Sequence, residues 1–302
     1  MAEITAKMVQ DLREKTGAGM MDCKKALSEA GGDMEKAVEV LRKAGMASAG
    51  KKAGRLASEG LIGIHVESSV AAMVEVNSET DFVAKTPDFQ NFVDGVAQHV
   101  AKHKPADLAA LLKQVPEGAK ADYETLTKEL VAKIGENLSI RRFQVLDAKA
   151  GEKFGSYLHM GSKIGALVKA KGDTAKLNDD LLKDLAMHVA AASPRFLHRE
   201  QIPADVRAKE KEIYLAQLQD SGKPKEMLEK IVEGKLGKFA SEVCLLEQIF
   251  VKDPTGKKSV LKHLQETDPS GQVVEFLRFQ VGEGMAKKEE DFAAEVAKQL
   301  GK

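Results

Sequence analysis

Residues 61–100 read LIGIHVESSVAAMVEVNSETDFVAKTPDFQNFVDGVAQHV, and two periods meet in them. Leu61 to Val66 and Ala71 to Asn77 are strand-like, and the polar Glu67-Ser68-Ser69 between them marks a β-hairpin. Thr86 then offers a cap and Pro87 a first helical residue. Phe89, Phe92, Val93, Val96, Ala97 and Val100 follow on one helical face. Downstream the order repeats: Phe154 to His159, a Gly161-Ser162 turn, Ile164 to Ala170, then Leu181, Leu182, Leu185 and Val189 at helical spacing.

Local matches set the register of this duplication. Ala72-Met73-Val74 answers Ala166-Leu167-Val168 at an offset of 94, and His99-Val100-Ala101 answers His188-Val189-Ala190 at 89. The first copy therefore has five more residues between its second strand and its helix, where Glu79-Thr80-Asp81-Phe82-Val83 lies. Arg142-Phe143-Gln144-Val145 answers Arg278-Phe279-Gln280-Val281 at an offset of 136, so the second copy gains 47 residues before its last strand. Val206, Ile213 and Leu218, a turn at 221–224, then Met227, Ile231, Val232, Leu236, Phe239 and Val243 predict an antiparallel helical hairpin over 204–243. The first copy has instead a helix with Tyr123, Leu126, Leu130 and Ile134.

Upstream, residues 5–45 predict three short helices, each closed by a glycine: Thr5 to Gly17, Met20 to Gly31 and Asp33 to Gly45. Met20, Cys23, Leu27 and Ala30 form the expected inward stripe of the second. Residues 46–60, rich in small side chains and lysine, read as a linker. The expected fold class is α+β: a three-helix domain at 1–50, a linker at 51–60, core halves at 61–146 and 147–282, and a C-terminal helical module at 283–302.

Composition narrows function. The 302 residues carry 46 Lys+Arg against 46 Asp+Glu, so no overall field draws the chain to nucleic acid or an anionic membrane. No apolar run approaches the ~20 residues of a bilayer span, and the start, Met-Ala-Glu-Ile-Thr, lacks a signal-peptide pattern, which predicts a cytoplasmic protein. Cys23 and Cys244 support neither a disulfide framework nor a CxxC site. His99 and His103 lack a third ligand at a recognised spacing, and Gly282-Glu283-Gly284 and Gly256-Lys257-Lys258-Ser259 are incomplete phosphate loops. We expect no cofactor, no metal site and no enzyme, for want of a convergent acid, base and nucleophile.

Two features stay open on pattern alone. Met20-Met21 fits packing or a docking face. Asp81-Phe82 fits an ordinary helix entry, or an extra loop presenting a carboxylate beside an aromatic to a partner. An adaptor that docks through its small bundle and dimerises through its hairpin is the rival reading.

The stretches LREKTGAGMMDCKKAL at 12–27 and EVNSETDFVAK at 75–85 resemble signature segments of the bacterial translation elongation factor Ts family. The likeness extends through KIGENLSIRR at 133–142, SGKPKEMLEKIVEGK at 221–235 and DFAAEVA at 291–297. This resemblance implies a guanine-nucleotide exchange factor for the GTPase elongation factor Tu, without covalent chemistry. It implies a UBA-like N-terminal bundle and a coiled-coil hairpin, while the apolar spacing along 206–243 supports a homodimer as well as an intramolecular pair. Thr80, Asp81, Phe82 and Val83 map onto the loop that the family inserts beside the GTPase magnesium site. Met20, Met21 and Lys24 map onto a contact with its nucleotide domain. Leu158, His159, Met160 and Gly161 map onto a contact with its far domain, and Phe292 and Val296 onto a further one.

Overall fold

A computed structural model describes residues 4–218 and 224–285. The expected C-terminal helix with Phe292 and Val296, and most of the 221–224 turn, lie outside these residues. The described chain is α+β, with eleven α-helices and two three-stranded antiparallel sheets, and it divides into two compact units.

The first unit opens with α1 (Ala6–Thr16), α2 (Met20–Glu29) and α3 (Met34–Lys52). Thr5 accepts the Met8 amide at 3.2 Å, and Asp33 accepts those of Glu35 and Lys36, so capping oxygens satisfy amides that have no intrahelical partner. Val9, Leu12, Cys23, Ala26, Leu27 and Ala37 make a small core.

The third helix does not stop at Gly45, as the spacing predicted, but runs on to Lys52 through the expected linker. Gly45 is a packing residue instead: a Cβ there would stand 2.7 Å from the Cβ of Ala132 on α7 (Tyr123–Ile134). Arg42 pairs with Glu129 of α7 at 2.7 Å beside this approach. A glycine in a helix is read as a stop only when no second helix needs the space.

Strands β1 (Glu59–Val66), β2 (Val70–Ser78) and β3 (Leu138–Asp147) form the first sheet in that order. All of β2 is buried, as its central place requires. After the one-turn α4 (Asp81–Ala84), the predicted helix is α5 (Pro87–His103), with Phe89, Val93, Val96, Ala97 and Val100 buried. The short α6 (Leu108–Leu112) leads to α7. Of the apolar residues that predicted α7, Tyr123 is buried while Leu126, Leu130 and Ile134 are only half-buried; Thr127 and Val131 are buried as well. The face turns because α7 packs on two sides, with Tyr123 edge-on to Phe92 of α5 and α3 at Ala132.

In the second unit, β4 (Glu152–His159), β5 (Ile164–Lys171) and β6 (Gln272–Gln280) form a sheet of the same order, with α8 (Asp179–Ala192) packed on it. Glu152 faces Lys171 and His159 faces Ile164, which closes β4 and β5 with a four-residue tip. Val168, Leu182, Leu185, Leu245 and Phe250 lie at the centre of the core. Helices α9 (Ala204–Leu218) and α10 (Lys225–Val243) occupy the expected insertion and are tied by Arg207 to Glu233 and Lys235 to Gln217. On α9, Val206, Tyr214 and Leu218 are half-buried, none of its residues is fully buried, and Ile213 is exposed. Helix α11 (Val260–Thr267) precedes β6.

The duplication reaches the buried polar groups. His99 meets Gln114 at 2.8 Å, and His188 meets Gln248 at 3.0 Å. The His188 Nδ1 accepts the Val251 amide, so its Nε2 carries the proton toward Gln248. Burial lowers the pKa of both rings, partly opposed by the glutamine bonds.

The five-residue difference between copies is spread out, and this corrects the reading of an extra loop. The connection 79–86 is only one residue longer than 172–178. Strand β2 runs one residue further than β5, and α5 starts three residues earlier than α8 relative to the paired histidines. What differs is what the connections do. The second copy buries Leu177 in the core, whereas the first makes α4 and leaves Phe82 outside.

Candidate functional site

Ser78 ends β2, and its hydroxyl donates to the Thr80 carbonyl at 2.9 Å, starting a turn. Thr80 is the N-cap of α4, yet its side chain makes no capping bond. Its hydroxyl donates instead to Glu136 Oε1 at 2.7 Å, and its amide to Glu136 Oε2 at 2.9 Å. A reciprocal bond runs the other way, since Glu79 Oε1 accepts the Asn137 amide at 2.6 Å and also pairs with Arg55. Val83 and Ala84 are buried, and the Thr86 hydroxyl donates to the Val83 carbonyl at 2.7 Å.

The apex is Phe82, 75% exposed. A lone exposed apolar side chain is ordinary on a protein surface. Here its support is not ordinary, because the turn is tied on both flanks while the ring stands exposed. Lys85 pairs with Asp81 at 2.7 Å and lies 5.5 Å from the Phe82 centroid, placing charge beside the ring.

Met20 and Met21 begin α2 and are 58% and 75% exposed, with Lys24 exposed one turn later. The inward stripe is Cys23, Ala26 and Leu27, so Met20 does not join it as predicted. Side chains in a helix lean toward its N-terminus, and at the first residue that direction leads off the end of the bundle.

In the second unit the β4–β5 tip shows Leu158, His159, Met160 and Gly161 to solvent. Met160, Gly161 and Ser162 all have positive φ, at 51°, 63° and 67°. Two of the three carry a Cβ, so strain is stored at the tip, and Met160 is 69% exposed. Tyr157 and His159 stack beneath it at 5.8 Å.

Among the described residues, no group of three His, Cys, Asp or Glu side chains is placed to hold a metal, and no helix is long and apolar enough to cross a membrane. Of the incomplete phosphate loops, 256–259 has its Lys257 and Lys258 amides bonded to Asp253, whose carboxyl these bonds hold well below its ordinary range.

The profile of the family described as "Elongation factor TS" matches residues 79–283, starting on the turn that carries Phe82. Three relatives named elongation factor Ts align over nearly their full length. That of Aeromonas salmonicida is 50% identical across 99% of this chain and 98% of its own. That of Nitratiruptor is 49% identical, across 98% and 99%, and that of Trichlorobacter lovleyi 48%, across 99% of both. The chain belongs to the elongation factor Ts family.

The chain has Thr80 to Val83 together on one supported turn, while the Met20–Met21 face is a separate part of the same unit. Reading the sequence missed the support itself: Glu79, Glu136, Asn137 and Arg55. The stretches that hold Glu79, Glu136 and Asn137, 75–85 and 133–142, were both visible as family segments, whereas Arg55 lies in neither. The bonds between them span 56 and 58 residues, a pairing that no local period encodes.

Proposed function

We propose that Phe82 is the wedge of this exchange factor. By family, the chain promotes guanine-nucleotide exchange on elongation factor Tu. A GTPase holds its nucleotide through phosphate-cradling amides and a bridging Mg²⁺, so an aromatic pushed between the segments that carry those groups weakens several charge-assisted bonds at once. Asp81 brings a carboxylate to the same place, where it disfavours the phosphate charge. The partner holds both the metal and the nucleotide, and no covalent bond changes.

Linkage makes the effect reciprocal: if this chain lowers GDP affinity, GDP lowers the affinity for this chain by the same factor, and incoming nucleotide expels it. The observation that carries the reading is an exposed Phe82 on a turn whose flanks are anchored.

In the same reading, Met20, Met21 and Lys24 of a UBA-like bundle dock on the nucleotide domain, and His159, Met160 and Gly161 on a far domain. Phe292 and Val296 add a further contact. In this reading the domains are 1–50, the core halves 61–146 and 147–282, and a C-terminal module at 283–302, with a linker at 51–60, and the chain works in the cytoplasm. Exposed Ile213, Leu215 and Met227 favour self-association through an antiparallel coiled-coil hairpin at 204–243 as a second role. The test is release of a fluorescent GDP from elongation factor Tu. Asp81→Ala with Phe82→Ala should slow catalysed release at least about ten-fold, in line with a loss of about 1.4 kcal/mol or more, with an unchanged circular-dichroism spectrum. Wild-type release by this double variant rejects the wedge.

A further inference from the structure

Helix α4 has four residues, too few to stand alone, because the first turn of a helix fixes several dihedrals for a single hydrogen bond. Its N-cap threonine does not cap it. The conformation of 80–83 is therefore imposed from outside, and the structure shows by what. Helix α7 ends at Gly135 in the left-handed region, φ 90°, and the chain then runs through Glu136 and Asn137 directly into β3. That short bridge between two packed elements is a rigid place from which to hold a neighbour.

We infer that Glu136 is a positioning residue for exchange, gripping Thr80 with both carboxylate oxygens so that Phe82 stands presented before the partner arrives. This rests on the wedge reading and adds the group that sets the wedge. The grip is two-point and charge-assisted, the strong class of hydrogen bond, and it directs the amide and the hydroxyl of one residue at once. The reciprocal Glu79 to Asn137 bond fixes the spacing of the two segments and leaves Glu136 to set the orientation of Thr80. Glu136 is itself half-buried and lies outside the apolar core, so its removal costs local hydrogen bonds rather than core packing.

If the presented conformation falls to about one-tenth occupancy without the grip, productive engagement falls about ten-fold. The readouts are GDP release at sub-saturating factor, where the occupancy of the presented state sets the apparent affinity, and the mobility of residue 82 in the free protein. The chain contains no tryptophan, so Phe82→Trp installs a single reporter whose fluorescence anisotropy follows the apex.

Glu136→Ala should cut release at sub-saturating factor about ten-fold, lower the anisotropy of the indole reporter and lower the thermal midpoint by only a few degrees, as the loss of two local hydrogen bonds requires. Glu136→Gln keeps one acceptor and should recover part of both readouts. Thr80→Val, which removes only the hydroxyl, should act in the same direction. Adding Glu136→Ala to Phe82→Ala should slow release no further, because positioning an absent ring has no effect. Wild-type release by Glu136→Ala where Phe82→Ala is slow overturns the positioning role, and so do multiplicative effects in the double variant or an unchanged anisotropy. If Phe82→Ala itself releases GDP normally, the wedge reading fails, and the anisotropy alone still decides whether Glu136 holds the turn.

Discussion

Glu75 is a carboxylate with no exposure, five residues upstream of Thr80. Burial alone would raise its pKa. The Gly282 amide, the Arg141 and Arg142 guanidiniums and Asn77 outweigh that and hold it below the ordinary value. Arg141 reaches it at 2.8 Å, Arg142 at 2.6 Å and Gly282 at 2.8 Å, joining β2, β3 and the segment after β6. Because the folded carboxyl ionises at lower pH than the unfolded one, its contribution is complete above the unfolded pKa of about 4.3 and fades as pH falls through the folded value. Glu75→Gln should therefore cost about 3 kcal/mol at pH 7, at the low end for a buried pair since both arginines are partly exposed. The gap between variant and wild type should narrow below pH 4 in urea titrations; a gap independent of pH would show that the clamp is not ionic. Sequence alone marks Glu75 only as a polar break in an apolar strand, for its partners lie 66, 67 and 207 residues away.

Between elements, the contact of α3 with α7 is the informative case. Both helices were legible from their periods, but that they touch was not, and so Gly45 read as a stop. Replacing Gly45 with Leu should improve intrinsic helix propensity by about 1 kcal/mol while forcing the helices apart at a net cost of about 1–3 kcal/mol. Denaturant unfolding measures the balance, and faster amide exchange across 123–134 should accompany it. A stabilised variant would mean that α3 and α7 yield easily at this point. The β4–β5 tip illustrates the same limit, since Gly161-Ser162 announced a turn while the positive φ of Met160 follows from the register of His159 with Ile164.

Over the whole molecule, the duplication is the main organising fact, and the inserted helices are its largest departure. At the base of α10, Val232, Leu236, Phe239 and Ala240 are buried, whereas Ile213, Leu215 and Met227 are exposed. Excising 210–230, which keeps the buried base, should leave maximal GDP release within about two-fold of wild type, as for independent sites, and should abolish any self-association seen by sedimentation. A large loss of exchange with the fold preserved would make the hairpin part of the exchange machinery. Strands, helices, caps and the repeat could be read from residue order because each depends on neighbours within a few positions, where period and capping chemistry act. Whether Met20 faces in or out, whether Gly45 ends a helix or admits another, and how Glu136 comes to grip Thr80 depend on which distant surface arrives alongside. Only the packed chain decides that, because burial and hydrogen-bond partnership are properties of what an element is set against.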